Sequence, residues 1–155
     1  MPQCESHSVC INDAITKAEM ICKDRGLRLT ELRRRVLKLI WSDHVPIKAY
    51  DILDKLSKNQ ALVKPPTVYR SLDFLLTIGL IHRLSSINAY VGCSHPLRHN
   101  DCYFLICSNC GQIKEFCNNA ITDVISANAK EYNFETETIT LEIKGGCREC
   151  KSKLN

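Results

Sequence analysis

The stretch CSNCG, residues 107–111, decides the fold of the last part of the chain together with CREC, residues 147–150. Each is a Cys-x-x-Cys pair, and two intervening residues allow both sulfurs to turn toward one point. Each pair follows an apolar, strand-like run and has a glycine beside it, which supplies the backbone freedom that such a turn needs. Two such pairs offer the four soft ligands that Zn²⁺ prefers in a tetrahedron. We therefore predict a closed, structural zinc site formed by Cys107, Cys110, Cys147 and Cys150.

The alternatives for these cysteines are thioredoxin-like redox motifs or buried thiols. Two pairs with matched spacing favour the metal site. Ten cysteines in a short secreted protein would indicate disulfides, but the first ten residues lack the basic region and apolar core of an export signal. We therefore expect a reducing, cytoplasmic compartment. No apolar run is long enough to span a bilayer, so we expect no membrane partner.

The basic residues are unevenly distributed along the 155-residue chain, whose composition is that of a globular protein. The net charge is +4, with 13 basic and 9 acidic residues in positions 1–80 and 8 of each in positions 81–155. A basic first half fits binding to a phosphate backbone, although such a surface can also be merely solvated.

The first ten residues are polar, and we expect a flexible tail there. Their Cys4, His7 and Cys10 could alternatively form a further metal or redox site. An apolar stripe at helical spacing predicts a first helix that begins at Asn12 or Asp13 and places Cys22 in the core.

The next stretch matches the helix-turn-helix plan. A second helix is predicted from its Thr30 cap to about Trp41, and a third at about residues 47–57. KPPTVYRSLDFLLTIG, residues 64–79, then predicts a fourth helix, because proline suits a first helical turn and glycine supplies the stop.

The fourth helix is the predicted recognition helix. Its apolar stripe predicts that Thr67, Arg70, Ser71 and Asp73 face outward. Arg70 could donate two hydrogen bonds to a guanine edge, whereas Lys64 and Thr67 suit phosphate contacts. The alternative is an ordinary helical bundle with Arg70 in solvent.

The remaining sequence predicts a wing and a second domain, which gives an α+β fold. LIHRL and AYVGC form a β-hairpin, so that residues 1–93 make a winged-helix domain, followed by a hinge loop at 94–101. Residues 102–155 form a small αβ domain with strands at YFLIC, QIKEF and TITLEIKGG. A helix capped by Asn118 or Asn119 lies between the last two strands, and its predicted inward residues are Ile121, Val124, Ile125 and Tyr132.

These motifs resemble the ferric uptake regulator family of bacterial metalloregulators over about residues 12–150. PPTVYRSLDFL resembles the recognition helix of that family closely, and GLIHR, AYVGC, CSNCG and IKEF follow in the family's order. RLTELRRRVL resembles the entry to its second helix, although Glu31 stands where the family usually has proline. PPTVYR and a cysteine that closes the wing are similar to the zinc uptake regulator branch.

The resemblance implies a homodimer that binds double-stranded operator DNA through winged helices and pairs through its αβ dimerisation domain. It implies two zinc ions per subunit, one structural and one regulatory at the hinge. By position, the regulatory ligands are His82, Cys93, His99 and Glu115. His99 stands one residue further from Cys107 than the branch leads us to expect, so Cys102 or His95 remains an alternative ligand. Tyr50 and Arg70 occupy positions similar to those used on DNA, and we include Tyr69 of the same TVYR segment.

The function that we expect is a zinc-responsive transcriptional repressor of zinc uptake genes. An iron- or peroxide-responsive regulator of the same family is the alternative, and a zinc-stapled protein-binding adaptor is a second one. An enzyme is not expected, because a zinc deaminase needs His-x-Glu ahead of Pro-Cys-x-x-Cys. This chain has Ile106 before the first pair and no His-x-Glu.

Overall fold

The computed structural model describes residues 7–43, 45–59, 63–96 and 101–152. The chain divides into two compact units, residues 1–96 and 97–155, which are described separately below. The first strand of the second unit begins at Asp101, inside the predicted hinge loop. The predicted domain boundaries otherwise stay a prediction, since residues 97–100 lie outside the described ones.

The first unit is a winged helix: four helices followed by a two-stranded hairpin. Thr30 caps the second helix as predicted, because its side chain accepts a hydrogen bond from the Arg33 N–H. Pro65 opens the fourth helix, also as predicted. The elements are α1 His7–Asp24, α2 Glu31–Trp41, α3 Ala49–Asn59, α4 Pro65–Thr77, β1 Ile81–Leu84 and β2 Ala89–Gly92.

The start of α1 was predicted incorrectly. The helix begins at His7, not at Asn12 or Asp13, so residues 7–10 are helical rather than part of a tail. Cys10 and Ile11 are half-buried, and Ile11, the first member of the predicted apolar stripe, packs against the core. Cys4 lies outside the described residues, as does the side chain of His7. Cys22 lies in the core, as predicted, with 2% exposure.

The core of the first unit lies where α1, α2 and α4 meet the hairpin. Val36, Leu72 and Leu75 are completely buried there. Gly79 ends α4 with a φ of +78°, a conformation that favours glycine. Ile47, just before α3, exchanges two backbone hydrogen bonds with Tyr90 of β2, so the start of α3 is tied to the wing.

The second unit is a three-stranded sheet with one long helix. The strand order is β4-β3-β5, with β3 antiparallel to β4 and parallel to β5. Asn118 caps α5, and the Tyr103 hydroxyl lies 2.7 Å from the Thr122 hydroxyl, which joins sheet and helix. The elements are β3 Asp101–Cys107, β4 Ile113–Phe116, α5 Asn119–Glu131, β5 Ile139–Gly145 and α6 Arg148–Ser152.

The predicted inward face of α5 is wrong in part. Ile121 and Ile125 are half-buried, but Val124 is 62% exposed and Tyr132 is 83% exposed. The sheet has only three strands and covers one stripe of the helix, so apolar residues beside that stripe remain at the surface of this unit. Within the described part of the chain, no helix is long and apolar enough to cross a membrane.

Candidate DNA-binding surface and metal sites

One face of the first two turns of α4 is exposed, whereas Val68 and Leu72 on the other face are buried. Tyr69 is 52% exposed, and Tyr50, in the first turn of α3, is 76% exposed. The side chain of Lys64 makes no capping hydrogen bond, Pro65 and Pro66 have no N–H, and the Thr67 N–H donates to the Lys64 carbonyl at 3.0 Å. The exposed cations Lys64 and Arg70 therefore supply the positive charge at the start of α4. A surface with these two cations suits a polyanion. The predicted DNA-binding residues with exposed side chains are Tyr50, Lys64, Thr67, Tyr69 and Arg70.

Ser71 does not face outward, contrary to the sequence prediction. It is only 5% exposed, and its hydroxyl donates to the Thr67 carbonyl at 3.0 Å. The hydroxyl is satisfied by the preceding helical turn, which allows the side chain to lie against the core.

Two of the three consecutive arginines of α2, Arg33 and Arg34, make contacts within the first unit, which the sequence pattern alone did not reveal. The Arg33 guanidinium carbon lies 3.4 Å from the centre of the Phe74 ring, and Arg33 Nη1 donates to the Arg28 carbonyl at 2.7 Å. Arg34 pairs with Glu19 and, at 3.7 Å, with Glu31. Cation–π contact between Arg33 and Phe74 fixes α2 against the recognition helix. The sequence feature that could have predicted this contact is Phe74, an aromatic residue of α4 outside its predicted apolar stripe.

The four cysteines of the two Cys-x-x-Cys pairs come together in the second unit. Their sulfur atoms all lie within 4.8 Å of one another, and the Sγ atoms of Cys110 and Cys147 are 3.8 Å apart. Four sulfurs at about 2.3 Å from one zinc ion stand about 3.8 Å apart along each edge of a tetrahedron. Among the described residues no two cysteines form a disulfide. The arrangement therefore fits a four-thiolate metal site.

Backbone groups favour a thiolate at Cys107. The N–H of Cys147 donates to its sulfur at 3.3 Å, and this hydrogen bond, with those from Cys110 and Asn109, lowers the pKa of Cys107 to about 6. Thiol hydrogen bonds with Cys147 and Cys110 raise the pKa of Cys150 to about 12. Gly111 closes the turn with a φ of +72° and donates its N–H to the Cys107 carbonyl at 3.0 Å. Gly146 has no positive φ, so only the first pair uses the predicted glycine freedom.

A histidine and a cysteine that could bind a metal ion are buried in the wing. His82 on β1 is 6% exposed, and Cys93, just after β2, is 3% exposed. A ring nitrogen of His82 and the Cys93 sulfur lie within 4.8 Å of each other. The Cys93 N–H donates to the Leu80 carbonyl at 3.0 Å, which holds the end of the wing beside the start of β1.

The other predicted regulatory ligands belong to the second unit or lie outside the described residues. Glu115 is half-buried on β4, opposite Phe104 of β3. Cys102 is 2% exposed on the same sheet face as Phe104, and burial, followed by the Glu115 charge, raises its pKa to about 12. His95 is exposed in the first unit. His99 lies outside the described residues, so the choice among His99, His95 and Cys102 stays open.

Together, the fold and the cysteine cluster define a class of protein: a winged-helix domain followed by a small αβ domain that can hold a metal ion. Comparison with known sequences then identifies the family. The sequence model of the ferric uptake regulator family matches residues 24–144. The chain therefore belongs to the ferric uptake regulator family.

Several relatives within that family are regulators of zinc uptake. The zinc uptake regulation protein of Escherichia coli K12 is 39% identical over 141 residues, which cover 89% of this chain and 81% of that protein. A zinc uptake regulator complexed with zinc and DNA superposes with a TM-score of 0.88 at 36% identity, covering 93% of this chain and 97% of the other. The holo form of XcZur gives 0.83 at 40% identity, covering 91% and 99%.

Proposed function

We propose that the chain is a zinc-responsive repressor that binds operator DNA as a homodimer, with Zn²⁺ as the co-repressor of zinc uptake genes. The observation that carries this proposal is the buried pair of a histidine and a cysteine, His82 and Cys93, inside the unit that presents the recognition helix. A thiolate and an imidazole together suit zinc. The similarity to the zinc uptake regulators supports the choice of metal.

The structural zinc would be held by Cys107, Cys110, Cys147 and Cys150. The sulfur separations fit a zinc tetrahedron, and the backbone N–H groups aimed at Cys107 favour the thiolate form that zinc requires. Four thiolates leave no coordination position for a substrate, so we assign the site to stability and propose no catalytic activity. A thiolate site of this kind suits a reducing compartment, and we propose a cytoplasmic location.

The regulatory zinc would be the second ion of each subunit. We propose His82, Cys93, His99 and Glu115 as its ligands, with His95 or Cys102 as the replacement if His99 does not bind. This set combines residues of both units, so zinc binding would restrict their relative motion. A smaller loss of conformational freedom on DNA binding then raises the affinity for DNA.

DNA would be read by the exposed first turns of α4. Arg70 suits a bidentate contact with a guanine edge, and Tyr69, the residue before it in α4, is also exposed. Lys64, Thr67 and Tyr50 suit contacts with the phosphate backbone. A homodimer presents two such helices to two half-sites of one operator.

The proposal is tested by DNA binding with and without zinc. We expect the native chain to shift promoter fragments of its own genome in the presence of zinc and to lose this binding in a chelator that spares the structural zinc. The variant Cys93→Ser should keep one zinc per chain and its fold but lose the zinc-dependent shift. Tight, zinc-dependent binding by Cys93→Ser would contradict the proposal.

A further inference from the structure

Trp41, the last residue of α2, packs on the strand that leads to Cys93. A Cβ atom placed on Gly92 would stand 2.2 Å from Cε2 of the indole and 2.3 Å from Nε1, much closer than side-chain atoms approach one another. Glycine at this position therefore allows the ring to lie directly on β2. Trp41 and Cys93 also line the same small cavity, together with Leu37 and Leu80.

The backbone beside Cys93 is held on the wing side by hydrogen bonds. Gly92 pairs with Ile81 in the hairpin, and the Cys93 N–H donates to the Leu80 carbonyl at 3.0 Å. The Trp41 ring adds a contact from α2. Since α2 also packs on α4 through Arg33 and Phe74, a continuous set of contacts within one unit joins Cys93 to the recognition helix.

We propose that Trp41 is a positioning residue for the regulatory zinc ligand Cys93. The indole fixes the end of β2, so that the Cys93 thiol is presented beside His82 in the geometry that zinc requires. This inference rests on the proposed function. Groups that orient metal ligands change metal affinity by about 10- to 100-fold when they are altered.

The variant Gly92→Ala tests the contact directly, because the added methyl group would overlap the indole ring, which must then move. We expect Gly92→Ala to bind the regulatory zinc, the ion that Cys93→Ser loses, about 10- to 100-fold more weakly than the native chain does. Competition with a chelator measures this affinity. The structural zinc should be retained. If Gly92→Ala does not fold, the same measurement is made on Trp41→Ala. Native zinc affinity in whichever of the two variants folds would overturn the proposal.

A double-mutant cycle separates positioning from general damage. In a Trp41→Leu background the smaller side chain leaves room for the methyl group, so Gly92→Ala should cost less zinc affinity than in the native chain. Equal costs in both backgrounds would overturn the proposal.

The matched control is Leu32→Ala, a partly buried residue of the same helix that packs on the same core. It should lower the melting temperature and leave zinc affinity unchanged, and a zinc loss as large as that of Gly92→Ala would also overturn the proposal.

The fluorescence of Trp41 gives an independent readout, because it is the single tryptophan of the chain. Zinc binding should change its emission in the native protein and leave it unchanged in Cys93→Ser. Unchanged emission in a native protein that binds the second zinc would overturn the role of Trp41.

If Cys93→Ser retains zinc-dependent DNA binding, the proposed function fails as well. If that variant loses DNA binding while Gly92→Ala keeps native zinc affinity, only the inference about Trp41 fails.

Discussion

Arg33 and Arg70 lie in the same basic half of the chain but have different surroundings. Arg33 is half-buried over the Phe74 ring, whereas Arg70 is exposed near the start of α4. We expect Arg70→Ala to weaken binding to operator DNA by about 1–3 kcal/mol, because a bidentate base contact is lost. Binding to random DNA should fall much less. Fluorescence anisotropy with both kinds of DNA measures the difference, and equal losses would reduce Arg70 to a phosphate contact.

A matched pair of cysteine substitutions tests the structural zinc. Cys110 and Cys117 are both exposed, but only Cys110 belongs to the four-sulfur cluster. We expect Cys110→Ser to lose the structural zinc together with the fold of the second unit, because the binding energy of such an ion is folding energy. Cys117→Ser should retain both. Metal analysis and circular dichroism provide the readouts, and a native-like Cys110→Ser variant would exclude a structural role for this site.

Helix α2 depends on a local capping interaction at its first turn. The Thr30 hydroxyl accepts a hydrogen bond from the Arg33 N–H, which is otherwise without a helical partner at this position. We expect Thr30→Ala to lower the free energy of unfolding by about 1 kcal/mol. Thr30→Ser is the control, because serine retains the capping oxygen. Chemical denaturation measures both variants, and equal stability of Thr30→Ala and the native chain would contradict the capping role.

Features of the helices that depend on local sequence signals were predictable, whereas those that depend on tertiary contacts were not. Pro65, the TVYR segment and Gly79 carry local signals, so the start and end of α4 were predictable. The early start of α1 was missed because Asn12 and Asp13 offer a local capping signal, whereas Ser8 and Val9 before them are exposed and do not continue the apolar stripe. The burial of Ser71 and the stacking of Arg33 on Phe74 are tertiary contacts. Paired spacing identified the four-cysteine cluster because each pair is local and zinc demands a fixed geometry.

Exposed apolar residues of the second unit suit pairing with a second copy of the chain. Val124 is 62% exposed on α5, and Phe134, which follows the helix, is 63% exposed. A stable dimer buries such residues, so we expect Val124→Asp to weaken the homodimer. Sedimentation measures the monomer fraction, with Lys130→Asp as a control for a new negative charge on the same helix. An unchanged dimer in Val124→Asp would place the pairing surface elsewhere.

We expect zinc and DNA to bind to the same conformation of the molecule. Thermodynamic linkage then requires each ligand to raise the affinity for the other by the same factor. The most direct test measures the affinity of the regulatory site for zinc, with the free protein and with protein saturated by an operator fragment. We predict tighter zinc binding on DNA, by the factor with which zinc tightens DNA binding, and no such change in Cys93→Ser. A zinc affinity that is the same with and without operator DNA would contradict the account.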